Sequence, residues 1–81
     1  MIEERFKEAI DRYVNEGIPT GGFLQSVLEN NLVKAIGTAD NDAYFNLKDI
    51  VSYCYNEIPG SAWGSKEKVK QWFAKFHQVP E

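Results

Sequence analysis

Apolar residues recur along this chain at spacings of three and four, and the pattern is broken chiefly where glycine and proline cluster. That period is the signature of amphipathic helices, whose side chains return to one face every 3.6 residues. Ile2, Phe6, Ala9, Ile10, Tyr13 and Val14 predict a helix over 2–16, ended by Gly17 and Pro19. Phe23, Leu24, Val27, Leu28, Leu32, Val33 and Ile36 form a broad stripe that predicts a buried helix over 21–37, with Thr20 as its N-cap. Gly37 reads as a stop, although Thr38 and Ala39 can carry the helix past it, and a break is expected near Asp40–Asp42. Tyr44, Leu47, Ile50, Val51, Cys54, Tyr55 and Ile58 keep the period over 42–57. The β-branched and aromatic content of that segment tolerates a strand, but its length and period decide for helix. Ser65 is placed to cap a last helix over 66–77, with Val69, Trp72, Phe73 and Phe76 on one face and Lys66, Lys68, Lys70 and Lys75 elsewhere. The fold class that follows is all-α, a compact domain of about four short helices with Val79, Pro80 and Glu81 frayed.

Size limits what those helices can do. A chain of 81 residues buries only about 60% of its unfolded surface, so one domain over 1–81 is expected. Two Trp, five Phe and four Tyr give much contact area per residue, which serves a small core or a binding face. The net charge of −3 argues against a nucleic-acid binder, which would carry a basic stripe. The lysines of the last helix suit either a solvated face or an anionic neighbour. No apolar run approaches the roughly 20 residues that span a bilayer, and Met1–Ala9 is charged and periodic where a secretory signal would be apolar. The single cysteine, Cys54, leaves no internal disulfide, so a reducing cytoplasm is the expected compartment.

The sequence offers little for catalysis. A nucleophile needs an activating base and an orienting group, and the chain has one His and one Cys, with Cys54 on a core stripe. No Cys or His spacing suits a metal, and no phosphate-loop or dinucleotide pattern suggests a cofactor. Asp40-Asn41-Asp42 opens like a calcium loop, but the glycine and closing Glu of that loop are missing. A non-catalytic protein without cofactors is expected.

Two turns are the candidate binding elements. In Pro19-Thr20-Gly21-Gly22-Phe23, two glycines in a helical first turn weaken it by about 1 kcal/mol each relative to alanine. They serve either a close helix–helix approach or a nest of backbone N–H groups from Thr20, Gly21 and Gly22 that holds an anion. In Asn56-Glu57-Ile58-Pro59-Gly60-Ser61-Ala62-Trp63-Gly64-Ser65, Trp63 either plugs the bundle, with its indole N–H on a carbonyl, or stands exposed as an interface anchor. Asn56 and Glu57 are expected to pin this loop. Ser65 and Lys66 follow it and complete the candidate binding set of Thr20, Gly21, Gly22, Trp63, Ser65 and Lys66.

Tyr13, Gly17, Pro19-Thr20-Gly21-Gly22-Phe23-Leu24, Val27-Leu28-Glu29-Asn30-Asn31-Leu32, Ala39-Asp40, Tyr55-Asn56-Glu57-Ile58-Pro59 and Trp63-Gly64-Ser65 together resemble a widespread family of small, uncharacterised bacteriophage and prophage proteins. The resemblance runs from about Arg12 to Trp72 and departs at Gly37, where a helix former is expected. It implies a phage origin and work inside a bacterial host, and it brings no catalytic residues. Small phage accessory proteins often bind host components, antiviral defence included. The leading expectation is therefore a non-catalytic accessory protein that binds and inhibits a host protein. The alternative is a homo-oligomer that sequesters a small anionic ligand, such as a signalling nucleotide, between subunits. The Trp72–Phe73–Phe76 face must pack either on the other helices or on a second copy.

Overall fold

A computed structural model describes residues 2–77. Among these residues all regular structure is helical, as the periodicity requires, but there are five helices: α1 (Glu4–Glu16), α2 (Gly22–Leu28), α3 (Leu32–Thr38), α4 (Asn41–Glu57) and α5 (Lys66–Phe76). The expected fraying of Val79, Pro80 and Glu81 lies outside the described residues.

Helix α1 buries Phe6, Ile10 and Tyr13 and ends as its sequence dictates. Gly17 takes a left-handed φ of 68°, its N–H bonding Tyr13 O at 3.0 Å while Ile18 N reaches back to Arg12 O. A β-carbon there would meet Cβ and Cγ of Phe76 at 2.6 Å, so this glycine both turns the chain and lets α5 close onto α1.

The single helix expected over 21–37 is two. Asn30 adopts φ 58°, a left-handed conformation that Asn tolerates better than other side chains, and this ends α2. Asn31 then restarts the chain: its Oδ1 accepts Lys34 N at 3.2 Å, while its own N–H bonds Ser26 O at 2.8 Å. The turn changes the phase of the stripe, so α3 buries Ala35 and turns Leu32, Val33 and Ile36 outward. At the other end of α2 the cap position is Gly21, with φ 98°, and not Thr20, whose hydroxyl lies 3.4 Å from Gly21 O. Gly37 does not stop α3, which runs on to Thr38.

Asp40 caps α4 through Ala43 N at 2.8 Å, and Ser65 caps α5 through Lys68 N at 3.1 Å. Asn56 does not pin the loop after α4; its amide bonds back to Ser52 O within the helix. One core holds the helices together, with Ile10, Leu28, Ile50, Cys54 and Val69 almost wholly buried. Each large aliphatic side chain buried in this way contributes about 1.5–3 kcal/mol. Buried polar bonds fix how the elements meet: Tyr13 OH donates to Ala62 O at 2.6 Å, and Gly64 N donates to Leu28 O at 2.7 Å. The α5 face finds its groove within the chain. Trp72 is buried with its indole N–H on Val14 O at 3.1 Å, and Phe73 packs edge-on against Tyr13 with ring centroids 5.1 Å apart.

Candidate functional site

Helix α4 is apolar on more than one side. Its inner face, Ala43, Ile50 and Cys54, enters the core. Its position is fixed from α1: Glu3 N donates to Asn46 Oδ1 at 3.2 Å, Arg5 pairs with Asp42 at 3.5 Å, and Tyr53 OH donates to Asp11. Those contacts hold that stripe inward. They leave Tyr44 (57% exposed), Phe45 (77%), Val51 (40%) and Tyr55 (78%) in solvent. Tyr44, Val51 and Tyr55 were expected in the core, and they are not there because the inward stripe lies roughly a quarter-turn away.

Helix α3 extends this surface. Leu32, Val33 and Ile36 are 65%, 85% and 42% exposed, against the burial expected of them. Leu32 and Ala35 of α3 face Leu47 and Val51 of α4 across a shallow groove floored by Val27 and rimmed by Asn30 and Asn31. The outcome is an exposed apolar side on each of α3 and α4, joined where Leu32 and Ala35 meet Leu47 and Val51. Single exposed apolar residues are ordinary on a protein surface, but a contiguous patch is not.

The residues picked from the two turns fall in separate places. Thr20, Gly21 and Gly22 stand at the start of α2. Trp63, Ser65 and Lys66 stand beyond its other end, where Gly64 N bonds Leu28 O. No atom lies within 4 Å of a β-carbon built on Gly21 or Gly22, so close helix–helix approach does not explain them; the positive φ explains Gly21 alone. Trp63 is partly buried and lines an open groove with Tyr55, Ile58, Gly60, Gly64 and Lys68. The indole-to-carbonyl bond expected of it belongs to Trp72. Lys66 lines a second groove with Gln25, Glu29, Val69, Lys70 and Phe73.

Lys7, Asp11 and Tyr53 are one another's partners. Lys7 Nζ sits 2.8 Å from Asp11 Oδ2, and that hydrogen bond raises the lysine above its ordinary value. Burial pushes the Asp11 carboxyl upward, but the bonds from Lys7 and Tyr53 outweigh it and hold the group below 3.8. Burial, with the bond to Asp11, pushes Tyr53 up to about 12. Burial alone pushes the Cys54 thiol up to about 12, which keeps it protonated and unreactive. Among the described residues no group of three or more His, Cys, Asp or Glu side chains could hold a metal ion, and no helix is long and apolar enough to cross a membrane.

Phe45 was not singled out by the periodicity at all. The available signal was an excess: Ala43, Tyr44, Phe45, Leu47, Ile50, Val51, Tyr53, Cys54 and Tyr55 are too many for one stripe of a half-buried helix. Comparison with family models, with curated proteins and with solved structures gives no match.

Proposed function

We propose that this chain is a non-catalytic accessory protein of phage type that inhibits a host protein by covering part of its surface, with the α3–α4 face as the contact. The observation that carries this reading is the exposure of Leu32, Val33 and Ile36 on α3 and of Tyr44, Phe45, Val51 and Tyr55 on α4, two helices whose Leu32 and Val51 line one groove. Tyrosine and phenylalanine at the centre of a patch are the side chains that anchor protein–protein contacts, because each removes a large area from water while freezing few torsions. A tagged chain expressed in its bacterial host is expected to co-purify one host protein at fixed stoichiometry. Val33→Glu, on a side chain 85% exposed, is expected to abolish the capture and leave the far-UV circular dichroism unchanged. Absence of a stoichiometric partner, or its retention by Val33→Glu, overturns the reading.

A second reading is an oligomer that sequesters a small anionic ligand such as a signalling nucleotide. What favours it is the groove at Trp63, where Tyr55 and the indole offer stacking surfaces beside Lys68. Tyr55 belongs to both this groove and the α3–α4 face, so a copy docked on the face would also border the groove. A panel of nucleotides in a thermal-shift assay tests it, since saturation at a hundredfold excess over Kd stabilises by about 2.7 kcal/mol. No shift at millimolar ligand overturns it.

A further inference from the structure

We infer that the α4 half of this face is the interface of a two-fold symmetric dimer, in which α4 packs antiparallel against α4 of a second copy. The inference rests on the same reading of the α3–α4 face as an association surface, and it names the occupant of one half.

Three observations point to a second copy. The outward stripe of α4 is Tyr44, Lys48, Val51 and Tyr55, all exposed. Its spacing of four, three and four is that of a helix-pairing seam, in which alternate steps of three and four keep one face toward a neighbouring helix. The spacing of the stripe, though not its residues, is the same in both directions about a point between Asp49 and Ile50, so that Lys48 has Val51 as its mirror position. Two-fold pairing about that point places each stripe position on its mirror position in the partner, residue i on j and j on i. Antiparallel pairing sets Tyr44 against the partner's Tyr55, and the reverse, so two aromatic pairs close the ends of a seam about 17 Å long.

Exposed area agrees with this occupant. Tyr44 and Tyr55, exposed at 57% and 78%, with Val51 and the stem of Lys48, form the centre of the contact, and Phe45, 77% exposed about a quarter-turn away, borders it. Their whole exposed area is about 1,000 Å² summed over two copies, so the pairing reaches the level of a specific interface by covering Phe45 as well. Charge opposes the pairing at one point: Lys48 lies within half a turn of the two-fold axis and the stripe carries no carboxylate, so the two ammoniums must turn to the rim with their four-carbon stems along apolar surface. The core-facing side of α4 is fully engaged by Ala43, Ile50 and Cys54, so pairing needs no rearrangement of the fold. Leu32, Val33 and Ile36 of α3 stay outside the seam, so in a dimer the contact with a different protein rests on them and not on Tyr44 and Tyr55.

Light scattering on the eluting protein, run from 1 to 200 µM, tests the pairing. The expected mass is twice the 9.3 kDa of one chain. Val51→Glu and Tyr55→Glu are expected to give single chains with unchanged helicity and a melting temperature that no longer rises with protein concentration, and Lys48→Met is expected to tighten the dimer at least tenfold. For the register, an equal mixture of Tyr44→Cys and Tyr55→Cys chains is expected to cross-link under mild oxidation, more than either chain alone; native Cys54 is buried and does not interfere. A wild-type mass of one chain throughout, or a dimer that survives Val51→Glu, overturns the proposal. So does a Tyr55→Cys chain that cross-links best to itself, which would mean a parallel pair. A dimer that captures no host protein would sink the functional reading and leave the pairing standing, while a single chain that captures one would do the reverse.

Discussion

Replacing Gly17 by alanine tests the geometry that closes the fold. The residue has φ 68°, where a β-carbon costs about 1–2 kcal/mol against the neighbouring carbonyl. The new atom would also lie 2.6 Å from Cβ and Cγ and 2.7 Å from Cδ2 of Phe76. Cβ is the rigid root of that side chain, so the last turn of α5 must move, and overpacking of this kind costs about 1–3 kcal/mol more. Gly17→Ala should therefore lose about 2–5 kcal/mol, a large share of the roughly 4–12 kcal/mol available to a domain of this size. In a thermal melt that is a fall of roughly 8–40 °C. Gly37→Ala is the internal control. No atom lies within 4 Å of its added β-carbon, φ is not positive and the site is helical, so the same substitution should stabilise by about 0.5–1 kcal/mol. Urea melts followed by circular dichroism measure both. Repeating Gly17→Ala in a Phe76→Ala background removes the Cγ and Cδ2 contacts and should recover about 1 kcal/mol, separating the clash from the backbone term. A Gly17→Ala protein within 0.5 kcal/mol of the parent would refute the reasoning, as would equal losses at Gly17 and Gly37.

Tyr13→Phe keeps the ring against Phe73 but strands the buried Ala62 carbonyl, so it should cost about 1–3 kcal/mol in a urea melt, while Tyr53→Phe, whose partner Asp11 is one-third exposed to water, should cost less. Cys54 should resist a thiol reagent at pH 8 at a rate set by global opening, because the site is fully buried and its thiol is pushed up to about 12; immediate stoichiometric labelling would contradict that burial. Asp11 is held below its ordinary value, so its stabilisation is present above pH 3.8 and fades as pH falls through its folded value. Asp11→Asn should accordingly flatten the acid limb of a stability–pH curve, and a limb unchanged by the substitution would place the acid sensitivity elsewhere.

The parts of this fold that were legible in the sequence are those specified by a side chain acting on nearby backbone. Gly17 ends α1, Ser65 caps α5 and Cys54 lies in the core, because a left-handed stop, a hydroxyl cap and a periodic apolar position are all local facts. The break at Asn30 was hidden by coincidence. Leu28 and Leu32 keep a spacing of four across it, so the stripe looks continuous although the helix stops and restarts between them. Asn30-Asn31 was the available warning, since one asparagine tolerates positive φ and the next caps a helix. The candidate binding set taken from the two turns was not legible as a unit, because which end of α2 lies near which loop depends on the Gly64–Leu28 bond, a contact far apart in sequence.

Helix α4 raises the more general point. Its sequence supports two apolar stripes of identical period, and periodicity has no means of ranking them, since both satisfy the same 3.6-residue rule. The larger energy is burial of Ile50 and Cys54 against the other helices, and the orientation is held by Glu3 on Asn46, Arg5 on Asp42 and Asp11 on Tyr53, three polar contacts spanning 37 to 43 residues of chain. Once they are made, Ala43, Ile50 and Cys54 turn inward, and Tyr44, Val51 and Tyr55 have no covering element left among the described residues. Five helices this short cannot wrap α4 on both sides. An apolar stripe that its own fold leaves bare is the place where a second polypeptide gains most by binding, and the 4–3–4 spacing on that stripe gives a second copy of the same helix a matching seam.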